Sequence, residues 1–226
     1  MNTATLVLAS ASPRRRRLIS WLGLSATATS ADTAEDLTRD LGPTELASFL
    51  AAEKALAVRA AGVTAPVLVS FDTIVLDGGA VLGKPVDEAD AWRMLRGLAG
   101  GTHEVVTGVA LLFEGADAPE TFAVTTTVSM RTLTDDDIAL WVAEGECMGC
   151  AGAYNIERHL ASVDDGECFQ NVAGLPLCHV YRALATAAAD GTLDAALASG
   201  LTAPVMRCDA ALDRSCTLGP VVCGIR

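Results

Sequence analysis

The sequence predicts a mixed α/β fold, and two observations carry that prediction. Up to Leu98, short apolar runs alternate with helical patterns, whereas Glu104–Phe113 and Thr121–Arg131 follow one another directly as a strand pair. The chain has 226 residues, of which 51% are hydrophobic by type. That is enough to bury a full core without disulfide or metal staples. Residues 1–200 are expected to form the body and 201–226 a cysteine-containing C-terminal tail, where periodicity fades and prolines and three cysteines appear.

Thr5–Ala9 reads as a short buried strand. Ser12-Pro13 opens a helix, with the hydroxyl as N-cap and proline at the first helical position, running to about Leu22 and stopping at Gly23. Thr44–Ala61 is a second helix ended by Gly62. Val67–Leu76 is a strand that turns at Asp77-Gly78-Gly79 into a short return strand. Asp87–Leu98 is a helix closed by Gly100-Gly101, Asp135–Ala143 a helix opened by Thr134, and Leu175–Ala189 a helix entered through Pro176. No internal repeat or low-complexity linker interrupts this order.

A net charge of −12 argues against a general nucleic-acid coat, because such a surface repels a phosphate backbone. The first apolar run, Thr5–Ala11, precedes the first charges, the reverse of a secretory signal. The Ala-rich stretch Ala183–Ala198 is broken by Asp190, Gly191 and Asp194, so no run crosses a bilayer. A soluble, cytoplasmic protein with no membrane or nucleic-acid partner is expected. Seven cysteines in such a compartment read as reduced thiols, metal ligands or packed small residues.

Against this acidic background the run Arg14-Arg15-Arg16-Arg17 stands out. Four cations in a first helical turn oppose the helix dipole, and a bound anion would offset the cost. The bland reading is a solvated basic face. The preceding strand and the Ser10-Ala11-Ser12-Pro13 turn favour a phosphate site that includes Ser10, Ser12, Arg14 and Arg15. Asp72 interrupts an apolar strand, which is costly unless the carboxylate is paired, binds metal or serves as a base; otherwise it is a strand-end residue facing solvent on the polar side of the alternation. Gly78–Lys84 spells G-x-x-x-x-G-K, but Pro85 follows, with neither the hydroxyl nor the N–H that a P-loop requires. Lys84 is kept as a phosphate contact, with an ordinary surface lysine as the alternative. Glu53-Lys54 on the second helix says nothing alone. Cys147-Met148-Gly149-Cys150 is one C-x-x-C without a second close pair, so the cysteines are expected to hold no stoichiometric metal. His103, His159 and His179 read as structural.

Taken in order, Leu8-Ala9-Ser10-Ala11-Ser12-Pro13-Arg14-Arg15, Glu53-Lys54-Ala55, Asp72-Thr73-Ile74-Val75, Leu82-Gly83-Lys84-Pro85, Met94–Leu98, His103 through Thr107-Gly108, Ala151-Gly152-Ala153-Tyr154 and Val172–Leu177 resemble the blocks of the Maf family over residues 5–185. The resemblance implies a fold similar to that of inosine triphosphate pyrophosphatases: an elongated mixed sheet, flanking helices, and two lobes around a nucleotide cleft. It implies hydrolysis of a nucleoside triphosphate to monophosphate and pyrophosphate, with a divalent metal, Mg or Mn, and commonly as a homodimer. It further implies Asp72, Lys54 and Lys84 as catalytic residues and Glu35 with Asp72 at the metal. Arg14, Thr73 and Glu157 fall at positions linked to substrate choice. Arg14 and Thr73 resemble the branch that takes thymidine and uridine triphosphates. Cys150 and Glu157 resemble the 7-methyl-GTP branch, so the base stays open. As a base reader, the Glu157 carboxylate would accept from guanine N–H groups, against a structural ion pair as the alternative. Two other functions stay in play: a nucleotide-binding regulator of septum formation without turnover, and a cysteine-ligated metal protein using Cys147 and Cys150.

Overall fold

A computed structural model describes residues 5–31, 33 and 35–225. Residues 1–4 of the expected body, and Ala34 beside Glu35, lie outside them. The architecture is mixed α/β: a seven-stranded sheet in the order β2-β1-β3-β5-β6-β7, with β4 paired to β3, and helices on both faces.

β1 (Leu6–Ala9) runs parallel to β2 (Ala26–Thr29) and to β3 (Val67–Asp77). β3 is antiparallel to β4 (Ala80–Leu82) and to β5 (Thr102–Phe113), and β5 to β6 (Glu120–Met130). β7 (Ala161–Ser162) closes the far edge against β6. β2 has no counterpart in the sequence reading. Its four residues, Ala-Thr-Ala-Thr, are small and mostly exposed, so they carry no apolar alternation; pairing to β1 alone makes them a strand.

The expected helices are present. Helix α1 (Pro13–Ile19) starts where the Ser12 hydroxyl accepts from the Arg15 N–H, and it passes through a 3₁₀ turn to Gly23 in the left-handed region. α2 (Pro43–Ala60), α3 (Glu88–Leu98) and α4 (Asp135–Ala143) follow, the last with a reciprocal cap between Thr134 and Asp137. A short α5 (Phe169–Val172) precedes α6 (Leu177–Ala189). Beyond it lie α7 (Ala195–Gly200), α8 (Val205–Leu212) and α9 (Leu218–Cys223). The segment after Gly200 is therefore two short helices, with α9 packed on α6. Arg214 and Thr217 fasten it to the carbonyls of Val163 and Asp165.

Strand alternation decides the two faces. Leu6, Leu8, Val67, Val69 and Phe71 enter the main core with α1, α3, α4 and α6. Val7, Ala9 and Leu68 pack instead against Ala51, Ala55 and Val58 of α2, and Ile74 against Leu46, Ala47 and Leu50. Burying Phe71 completely contributes about 1.5–3 kcal/mol. α2 lies unusually close to the sheet because Gly108 of β5 has no side chain, and Ser70 donates to the Ala51 carbonyl at 2.5 Å.

Candidate active site

β1 pairs with β3 only at Val7–Leu68 and Leu8–Val69, while β4 joins the same edge of β3 from Val75 onward. Among the described residues, 70–74 of β3 thus lack a strand partner on that edge. A cleft of about 820 Å³ opens there, past the carboxyl end of β1, where parallel strands generally offer a ligand site. Asp72 and Thr73 are consecutive, so the pleat sends them to opposite faces: Asp72 toward α2, Thr73 toward α1.

On the α2 face, four charged groups form a chain. Lys54 Nζ donates to Asp72 Oδ1 and, at 2.7 Å, to Glu35 Oε1; Lys84 Nζ reaches the same Glu35 oxygen at 3.1 Å. Asp72 is 3% exposed and faces a partner cation, which answers the cost of a carboxylate in an apolar strand. Burial favours the neutral form of Glu35. The charges and hydrogen bonds of Lys54 and Lys84 outweigh it and hold the carboxyl at about 2.

On the other face, Arg15 is a clamp. Its Nε donates to Gly174 O at 2.8 Å and its two terminal nitrogens to Phe71 O at 3.0 Å and Thr73 Oγ1 at 2.9 Å, with the guanidinium over the Phe71 ring. Burial lowers it to about 10, which leaves it charged at neutral pH. Thr73 Oγ1 is 3.0 Å from Thr107 Oγ1, and Thr107 donates to the Asn171 carbonyl. Since the Thr107 proton is committed there, Thr73 donates to Thr107 and accepts from Arg15. Arg14 is placed differently. One terminal nitrogen meets the Cys150 sulfur at 3.2 Å, and its buried Nε has no partner. The Arg run is therefore split: Arg14 lines the cleft with one buried donor left without a partner, Arg15 holds its wall, and Arg16 bonds to the Ala11 carbonyl.

Of the residues singled out in the sequence, Ser10, Ser12, Arg14, Arg15, Glu35, Lys54, Asp72, Thr73 and Lys84 all line the cleft. Glu157 is not among the lining residues; it is ion-paired with Arg17 of α1, the ion-pair alternative that the sequence left open. The fold also brings in Glu146, Cys150 and Tyr154. Glu146 was missed because nothing in its local sequence marks it; Tyr154 stood in a family block but was given no role. Cys147 and Cys150 part company, the first entering the core and the second facing the cleft. Among the described residues no three His, Cys, Asp or Glu side chains stand in ready metal-ligand geometry. His103 sits behind the site with its Nε2 2.8 Å from the Tyr154 hydroxyl, and burial pulls it down to about 4.

A family model described as Maf-like protein matches residues 5–187. The chain is 42% identical over 187 residues to a dTTP/UTP pyrophosphatase of Geobacter sulfurreducens, covering 81% of this chain and 97% of that one. It is 45% identical over 184 residues to a dTTP/UTP pyrophosphatase of Moorella thermoacetica, covering 80% and 93%. A solved structure of the Staphylococcus aureus Ham1 protein aligns with a TM-score of 0.39 at 14% identity, over 56% of this chain and 71% of that one. Among the described residues no helix is long and apolar enough to cross a membrane.

Proposed function

Because the chain belongs to the Maf-like protein family, we propose that it hydrolyses pyrimidine nucleoside triphosphates, dTTP and UTP, to the monophosphate and pyrophosphate. The observation that carries this reading is the pairing of an anion-seeking group with a held base. Arg14, whose buried Nε has no partner, lines the cleft, and the Asp72 carboxylate is paired with Lys54 in the same cleft.

Arg14, Lys54 and Lys84 attract and orient the triphosphate on an otherwise acidic protein. Water attacks the α-phosphorus while its proton passes to Asp72 Oδ2, since Oδ1 is engaged by Lys54. The bond from the α-phosphorus to the α–β bridging oxygen breaks, and pyrophosphate departs with that oxygen and the bonding pair. The lysines stabilise the charge that develops on it. Glu35 and Asp72 fit a divalent ion: both carboxylates converge on one ammonium, and two hard oxygen donors plus phosphate and water are what Mg²⁺ or Mn²⁺ takes. When bound, the ion supplies charge neutralisation along the phosphate chain. The names of the relatives, with Arg14 and Thr73, favour a pyrimidine base over 7-methylguanine. Turnover of a cellular nucleotide pool suits a cytoplasmic enzyme, and the family resemblance supports action as a homodimer.

The test is pyrophosphate release across dTTP, UTP, CTP, GTP and 7-methyl-GTP, with Mg²⁺ and with Mn²⁺. Release of pyrophosphate in equal amount to monophosphate, fastest with dTTP and UTP, is expected. Release of orthophosphate and a diphosphate, or no turnover with any substrate, would overturn the reading and favour a nucleotide-binding regulator.

A further inference from the structure

Glu35 makes its two lysine bonds from a segment of no regular structure, residues 35–42. An irregular segment gives a side chain no fixed direction of its own. Contacts further along supply one. Leu37 lies over Gly83, where a Cβ would come within 2.7 Å of Leu37 Cδ1. It also packs on the cluster of Leu46, Leu50 and Ile74 between α2 and the sheet. Arg39 stacks over the Phe49 ring at 4.2 Å and reaches Glu53 Oε1 at 3.9 Å, both on α2. Between them Asp36 turns the chain, its Oδ1 accepting from the Thr38 N–H at 3.0 Å and the Thr38 hydroxyl at 2.7 Å.

These contacts bridge the same two elements as Glu35 does. Glu35 joins Lys54 of α2 to Lys84 of the loop after β4, and Leu37 and Arg39 join Gly83 of that loop to Phe49 and Glu53 of α2. Leu37, Arg39 and Gly83 are not among the residues that line the cleft. Gly83 is itself held, its carbonyl accepting from the Gly152 N–H at 3.0 Å.

We propose that Leu37, seated on Gly83, is a positioning residue that sets Glu35 between Lys54 and Lys84 and so aims the Lys84 ammonium into the cleft. The Lys84 side chain is 52% exposed, and among the described residues Glu35 is the carboxylate paired with it. Without that pair its four-carbon stem spreads over many rotamers. Lys54 is less dependent, because Asp72 holds it as well. Leu37 touches no phosphate and acts through Glu35. The consequence for turnover rests on the pyrophosphatase reading; the placement of Lys84 does not.

The experiment has two arms, both on the full chain. Without nucleotide, trace acetylation read by mass spectrometry compares Lys84 with Lys54. Leu37→Ala should raise labelling at Lys84 severalfold and leave Lys54 unchanged. Gly83→Ala should do the same, because its methyl displaces Leu37 while its backbone suits alanine. Leu37→Met should match the wild type, as should Leu41→Ala, an exposed leucine of the same segment. With dTTP or UTP, Leu37→Ala should raise KM about tenfold, the loss of one cation–phosphate contact, with kcat within about twofold because Asp72 keeps Lys54. Unchanged labelling of Lys84 in Leu37→Ala, or labelling raised equally at Lys54, would overturn the positioning role. Raised labelling with an unchanged KM in an active enzyme would overturn its part in substrate binding. A wild type that releases no pyrophosphate would overturn the pyrophosphatase reading instead, and the labelling arm would still decide the placement of Lys84.

Discussion

Gly108 lies against the backbone of Ala47 so closely that a Cβ at Gly108 would overlap the Ala47 carbonyl carbon and oxygen. Gly108 is also the register partner of Asp72. The two facts belong together. Ala47 and Lys54 are seven residues apart, two helical turns, and so share one face of α2. The missing side chain at Gly108 lets that face settle on the sheet, and Lys54 then reaches Asp72.

Gly108→Ala should therefore damage activity and stability together. The helix must lift or tilt, at a cost of about 1–3 kcal/mol or more, and Lys54 loses its position. A lowered Tm with turnover reduced at least tenfold is expected, whereas Gly166→Ala, in open space, should change neither. A fully active Gly108→Ala enzyme would refute the role of the close approach.

Asp72→Asn should fold and lose on the order of a hundredfold or more in kcat, since the amide neither takes a proton nor holds a cation as a carboxylate does. The residue is nearly isosteric, and Glu35 remains to pair Lys54. Circular dichroism and the pyrophosphate assay decide it; near-wild-type kcat would remove Asp72 from the chemistry.

Within the Arg run three outcomes should differ. Arg14→Ala should raise KM for the triphosphate with little change in Tm, because its Nε makes no bond within the protein. Arg15→Ala should lower Tm as well as activity, because three bonds between α1, β3 and the Gly174 loop go with it. Arg17→Ala should do little, the pair with Glu157 being half-exposed. Equal sensitivity of Tm at Arg14 and Arg15 would contradict this division.

Glu157→Gln should leave the ratio of kcat/KM between UTP and GTP unmoved. Its carboxylate is held by Arg17 outside the cleft lining. A shift of tenfold in that ratio would return Glu157 to base selection.

Acid should weaken the fold in two windows of pH. His103 is held at about 4 against an ordinary 6.5, so the folded state binds fewer protons than the unfolded one. Stability is lost as pH falls from 6.5 toward 4, by on the order of 3 kcal/mol in all. Glu35, held at about 2 against 4.5, adds a loss between those values, because its favourable charged form is progressively protonated. Denaturant unfolding from pH 7 to pH 4 should show the first window in the wild type and not in His103→Gln. A pH-independent free energy over that range would refute it.

The mixed α/β class, most element boundaries and the candidates Asp72, Arg14 and Lys84 were legible in the sequence for local reasons, and nine of the ten residues singled out line the cleft. Alternation marks a strand, a hydroxyl before proline marks a helix start, and a lone carboxylate in an apolar strand marks a held charge. The ordered family blocks then tied Lys54, Asp72 and Lys84 to one another. Only the tertiary structure decided which partners each charge meets. That Arg14 lines the cleft while Arg15 clamps Gly174, that Glu157 turns to Arg17 across 140 residues, and that four scattered cysteines, Cys168, Cys178, Cys208 and Cys216, line one pocket depend on strand register and helix docking. Local periodicity encodes the face of an element but not what another segment brings against it, because that juxtaposition follows from how the whole core closes.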